Sequence, residues 1–102
     1  MSTWLRAAPE VAWVAEADAM PYPEEGPVRI FLARLPDGVP VVLADSAAAI
    51  WGVVAPGVRR ADVVRAVAEV TGVPQEMIAA DVASFVADLL ERGLIDESEP
   101  PA

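Results

Sequence analysis

The run GVPQEMIAADVASFVADLLERGLI, residues Gly72–Ile95, reads as one long amphipathic helix with a marked start and a marked stop. Pro74 suits a first helical position, where its missing N–H costs nothing, and Gly93 suits the residue just past the end. Ile78, Val82, Phe85 and Leu89 recur at spacings of four, three and four, which marks a face packed on a core. One position on, Ala79, Ala83, Val86 and Leu90 repeat the pattern. Two adjacent stripes are wider than one packed face requires. Either the helix is buried against two neighbours, or one stripe serves the core while the other lines a groove for a partner. The first stripe, Ile78 through Leu89, is assigned to the core.

Working outward, Ala61–Thr71 reads as a second helix with Val63, Val67 and Val70 inward, ended by Gly72. Its valines give it poor intrinsic propensity, so tertiary packing must hold it. Before it, Asp45 and Ser46 suit an N-cap, and Ala47, Ile50, Trp51 and Val54 form one apolar face closed by Pro56-Gly57. The first half of the chain reads as strands. Val11–Ala15 puts Val11 and Trp13 on one face, Val28–Leu35 alternates cleanly, and Val39–Leu43 returns after a Pro36-Asp37-Gly38 reversal. Ala17–Pro27 is a loop by its prolines, with Tyr22 packed in it. The expected fold is α+β of winged helix-turn-helix type: a three-stranded antiparallel sheet followed by three helices. Residues 1–10 are expected to be a loose lead-in, 11–95 the domain, and 96–102 an acidic disordered tail.

Pro40 within the third strand has no N–H to donate, so it belongs on an edge with its blank side outward. Backbone direction alternates along an antiparallel strand. With Pro40 outward, Val39, Val41 and Leu43 hold the hairpin, and the Val42 N–H and the carbonyls of Pro40 and Val42 are left free. An edge proline also discourages unwanted pairing, and the strand alone does not separate a protected edge from a docking edge.

Composition narrows the function. The chain has 102 residues and 55% hydrophobic content, which suits one globular domain with a real core. Seven arginines and no lysine face sixteen acids, for a net charge of −9. Phosphate backbones repel such a surface, and the Gly72–Ile95 helix sets Glu76, Asp81, Asp88 and Glu91 against a single Arg92. Asp88 and Arg92, four apart with the acid first, suit a surface ion pair. Without histidine, lysine or cysteine there is no usual general base, phosphate clamp or thiolate metal site, so no catalytic residue, metal or cofactor is expected and the chain is not read as an enzyme. Pro9 and Glu10 interrupt the first residues before any signal-like apolar run forms, and no segment is long enough to span a membrane. A cytoplasmic protein is expected.

LADSAAAIW at Leu43–Trp51, the Val-rich helix ending in Thr71-Gly72-Val73-Pro74, and LLERGLI at Leu89–Ile95 together resemble the PqqD-like family, the precursor-peptide recognition elements of ribosomal peptide natural-product pathways. The resemblance covers roughly Val11 to Ile95. It implies that a precursor (leader) peptide binds as an additional β-strand on the third strand, against the third helix, and is delivered to a modifying enzyme, leader protease or cyclase, as in a lasso-peptide type of pathway. Carried onto this chain, the peptide-binding residues are Val39, Pro40, Val41, Val42 and Leu43 with Ala79, Val82, Ala83, Val86 and Leu90. Backbone hydrogen bonds then give affinity and alternate side-chain pockets give selectivity. Arg59, Arg60 and Arg65 read as a cluster on the second helix that solvates it. Two alternatives stand beside this reading: a winged-helix DNA-binding regulator, and an adaptor that only docks on an enzyme. An exposed edge also admits a monomer or a strand-exchanged dimer.

Overall fold

The structure, a computed structural model, describes residues 3–15, 29–36, 38 and 40–100. The Ala17–Pro27 loop, Val39 and the middle of the Pro36-Asp37-Gly38 reversal lie outside the described residues. Among the rest, the elements run β1 (Trp4–Ala7), β2 (Val11–Ala15), β3 (Arg29–Arg34), β4 (Val41–Ala44), α1 (Asp45–Val54), β5 (Val58–Arg59), a 3₁₀ turn (Arg60–Asp62), α2 (Val63–Thr71), α3 (Gln75–Glu91) and β6 (Ile95–Ser98). The expected α+β fold is present: an antiparallel sheet in the order β2-β3-β4, followed by three helices.

Alternation builds that sheet. Ile30 and Leu32 of β3 and Leu43 of β4 are buried on one face, and Val41 packs against the same core. On the outer face Val14, Phe31 and Val42 are direct cross-strand neighbours and stay partly exposed. α1 packs on β3 and β4, α2 packs on α1, and α3 packs on α2. From α1, Ile50, Trp51 and Val54 are buried, with Trp51 wholly so. Trp13 of β2 meets its ring edge-on, with centroids 6.0 Å apart at 81°. The Trp51 indole N–H is buried with no hydrogen-bond acceptor among the described residues, so this ring is held by packing alone.

Glycine ends two of the helices. Gly72 closes α2 at φ +74°, its N–H donating to the Ala68 carbonyl at 2.8 Å. Beyond α3, Gly93 takes φ +71°, its N–H donating to Leu90, while the Leu94 N–H donates to Leu89. Those two bonds make a Schellman motif, and the buried Leu89 and Leu94 supply its apolar contact. The stop anticipated at Gly93 is therefore the one found. Pro74 sits at the N-cap, one place before its anticipated first helical position.

Several expectations are corrected. The lead-in and the tail are not loose throughout. β1 and β6 pair antiparallel from Trp4↔Ser98 to Ala7↔Ile95, and with β5 they form a second sheet in the order β5-β1-β6. Leu5 and Ile95 carry this sheet into the core, at 0% and 2% exposure. Neither Asp45 nor Ser46 caps α1 through its side chain: Ala44 is the cap residue, and Asp45 takes φ +54° to turn β4 directly into the helix. Asp tolerates that left-handed conformation better than most residues. Val70 is 67% exposed, because the last turn of α2 runs past the core. Arg59, Arg60 and Arg65 are spread over β5, the 3₁₀ turn and α2; they do not share one helix.

Arg60 has a defined partner. Its guanidinium donates to a Glu97 carboxylate oxygen at 2.7 Å, and the Thr3 hydroxyl donates to the same oxygen. With the Arg60 N–H on the Thr3 carbonyl, this cluster pins the start of β1 to β6 and to the 3₁₀ turn. The Thr3 hydrogen bond, then the Arg60 one, hold the Glu97 carboxyl below its ordinary value of 4.5. A carboxylate with a depressed folded-state pKa stabilises the fold above the unfolded pKa, and that contribution is lost as pH falls through the folded value.

Two measurements follow. Leu5→Ala is expected to cost about 2–5 kcal/mol in urea unfolding, as for a core leucine, whereas a lead-in residue would shift stability by only about 0.5 kcal/mol. Thermal melts of Glu97→Gln are expected to fall below wild type at pH 6, with the gap closing as pH drops below 4.5.

Candidate functional site

The direction of the backbone in the β3–β4 ladder defines the site. The Leu35 N–H donates to the Glu10 carbonyl at 2.7 Å, so Leu35 turns its polar groups toward β2. Arg34 turns the other way, its carbonyl accepting the Gly38 N–H at 2.5 Å. That close approach requires a glycine, since a Cβ on Gly38 would lie 2.1 Å from the Arg34 carbonyl oxygen. Alternation then points Leu32 and Ile30 at β4, where their partners are Val41 and Leu43. Val42 lies between those two and turns its N–H and C=O away from β3. The Ala44 N–H follows it. β4 has one neighbour in its sheet, so among the described residues these groups face an open edge. The backbone direction anticipated for Val41, Val42 and Leu43 is the one this ladder gives, and exposed Pro40 immediately precedes it.

At the end of β4 the chain enters α1, and there a groove of about 280 Å³ opens between the three helices. Its α1 side is Ser46, Ala47 and Ile50. Val67, Thr71 and Val73 come from α2 and the link that follows it, and α3 contributes Ile78, Asp81, Val82 and Phe85. Seven of these ten residues are apolar, and Asp81 is the only charged one. The groove can seat an apolar side chain. Among the described residues no three acidic side chains are grouped to hold a metal ion, and no helix is long and apolar enough to cross a membrane.

The anticipated contact residues divide in this frame. Val82 is buried at 3% and forms part of the groove floor. Val86 is buried at 4% in the core, Ala83 is exposed, and Ala79 and Leu90 are half-buried. The first stripe lies in or against the core as assigned, Val82 and Leu89 buried and Ile78 and Phe85 packed on it, while the second stripe also gives Val86 to the core and packs Leu90 against it. Val82, Val86 and Leu89 form the buried line, which runs between the two stripes. Ile78, Asp81 and Phe85 flank it on the groove side, while Ala79, Ala83 and Leu90 lie on the other flank. Ser46, Ala47, Ile50, Thr71 and Val73 had no distinguishing signal, because the groove joins segments far apart in sequence.

Surface charges near the site are mostly acidic. Arg34 pairs with Glu10 at 3.2 Å, Arg65 with Asp62 at 3.4 Å, and Arg92 with Asp88 at 3.6 Å, the last being the pair its spacing predicts. Asp81 makes no ion pair or hydrogen bond among the described residues.

The family model described as coenzyme PQQ synthesis protein D (PqqD) matches residues 22–95, well over half of the chain. No curated protein and no solved structure matches it. The matched span takes in β3, β4 and all three helices, and it leaves out β1 and β2 and all but the first residue of β6.

This helix orientation is testable by circular dichroism. Val86→Asp is expected to unfold the domain, since it buries an unpaired carboxylate in the core. Ala83→Asp, on an exposed position, is expected to keep the fold with a loss within about 1 kcal/mol.

Proposed function

We propose that this protein, which belongs to the PqqD family of precursor-recognition proteins in ribosomal peptide modification, captures an extended segment of a precursor peptide by strand addition along β4. The guest pairs with the Val42 N–H and C=O and with the Ala44 N–H. Past Ala44 it seats an apolar side chain in the groove lined by Ile50, Ile78 and Phe85. The bound precursor is then presented to a modifying enzyme or to a leader protease or cyclase, and this chain supplies no catalytic group.

One observation carries the reading. Outward-turned backbone groups on β4 and an apolar groove occur at the same end of one strand, since Ser46 and Ala47 line the groove two and three residues after Ala44. Strand addition uses that combination, an edge for backbone hydrogen bonds and a pocket for an alternate side chain. DNA binding draws less support, because the outer face of α3 exposes Glu76, Asp81, Asp88 and Glu91, with Arg92 already engaged by Asp88.

The test uses a fluorescein-labelled leader segment from the precursor encoded beside this protein, read by anisotropy. Wild type is expected to bind at micromolar affinity or better. Val42→Pro removes an N–H that no β3 partner uses, so the domain stays folded while binding weakens by about two- to tenfold. Unchanged affinity in Val42→Pro overturns strand addition at this edge, and no binding of the leader by wild type overturns the reading itself.

A further inference from the structure

We infer that the guest segment carries a cationic side chain, Arg or Lys, beside the apolar residue it seats in the groove, and that Asp81 is its partner. The inference rests on the strand-addition reading above and adds the charge of the peptide selected.

Four observations converge on it. Asp81 is the single charged residue lining the groove, and its carboxylate is exposed. On α3 it follows Ile78 by three residues and precedes Phe85 by four, so it stands on the same helix flank as both groove walls. It has no ion pair or hydrogen bond among the described residues, whereas Glu10, Asp62, Asp88 and Glu97 are each held by an arginine. No arginine lines the groove. Along the chain the neighbouring charges are Asp45 just before Ser46, Glu69 between Val67 and Thr71, and Glu76 two residues before Ile78, all exposed, while the one neighbouring cation, Arg65 two residues before Val67, is engaged by Asp62.

The consequence is a specificity that an apolar groove does not supply by itself. Apolar walls accept any side chain of the right size, and edge hydrogen bonds accept any sequence. An unpaired carboxylate at the lip of a site on a chain of net charge −9 repels an acidic guest and attracts a basic one. The pair is exposed, so its expected effect is modest and salt-sensitive. Asp81 is here a specificity residue: it ranks peptides and takes no part in chemistry.

The experiment measures two labelled peptides at low and at high salt: the leader segment, and the same peptide with every Arg and Lys changed to Gln. Each is titrated into wild type, Asp81→Asn and Asp88→Asn, with folding checked by circular dichroism. Asp81→Asn is expected to weaken the native leader about two- to fivefold at low salt and to leave the Gln peptide unaffected. Asp88→Asn, whose carboxylate does not line the groove, is expected to change neither. The wild-type preference for the cationic peptide should shrink as salt rises. Equal wild-type affinity for the two peptides, equal loss for both in Asp81→Asn, or a bound leader segment that contains no Arg or Lys overturns the inference. In each case a native leader that still binds wild type and is still weakened by Val42→Pro leaves strand addition standing. Complete absence of leader binding removes both.

Discussion

An antiparallel strand offers each residue's backbone groups to one side only, and the proposed peptide site follows from how that rule falls on β4. Val41 and Leu43 give their polar groups to β3 and their side chains to the core. Val42 gives its polar groups to the open edge and its side chain to the outer face, where it is 53% exposed. A one-residue slip would reverse both assignments at once, burying Val42 and turning Leu43 out. The burial of Leu43, together with the Ile30 and Leu32 face it extends, therefore fixes the register that also fixes the edge. Core packing and edge presentation are two consequences of one pairing.

The same economy holds for α3. Its buried line, Val82, Val86 and Leu89, anchors the helix, and that anchoring turns Ile78 and Phe85 into groove walls and leaves Asp81 at the lip. Periodicity alone reveals a helix whose apolar arc is wider than one neighbour needs, and this much was legible from residues 72–95. Which flank faces the groove was not. Apolar residues stand on both sides of Val82 and Val86, so the pattern permits several rotations about the helix axis, and contacts with α1 and α2 choose among them. Those contacts join residues such as Ser46 and Phe85, whose proximity no local pattern encodes.

Legibility fails for a different reason at the chain ends. The β3–β4 hairpin, Gly72 and Gly93 announce themselves through local chemistry: alternation, turn residues, and positions that favour left-handed backbone. β1 and β6 have no such signal. Ile95–Ser98 buries a single residue and is otherwise polar, so it reads as a frayed acidic end. Its strand character comes from pairing with Trp4–Ala7 across the length of the chain, reinforced where Thr3, Arg60 and Glu97 meet. Fold class and edge strand were therefore visible in the residues, whereas the second sheet and the groove flank belong to tertiary structure.

Charge completes the picture by deciding what approaches the open edge. An unpaired strand with an exposed valine is a template for any extended chain, including a second copy of this one. Two copies brought edge to edge would each carry a net charge of −9 and repel one another. Pro40 adds a steric limit, since the ladder cannot gain a donor there. Mutual repulsion and the missing donor both act against self-pairing, and neither acts against a cationic peptide that ends its pairing at Val42 and Ala44. The same acidity that repels a phosphate backbone would leave the edge open to a peptide of the proposed opposite charge.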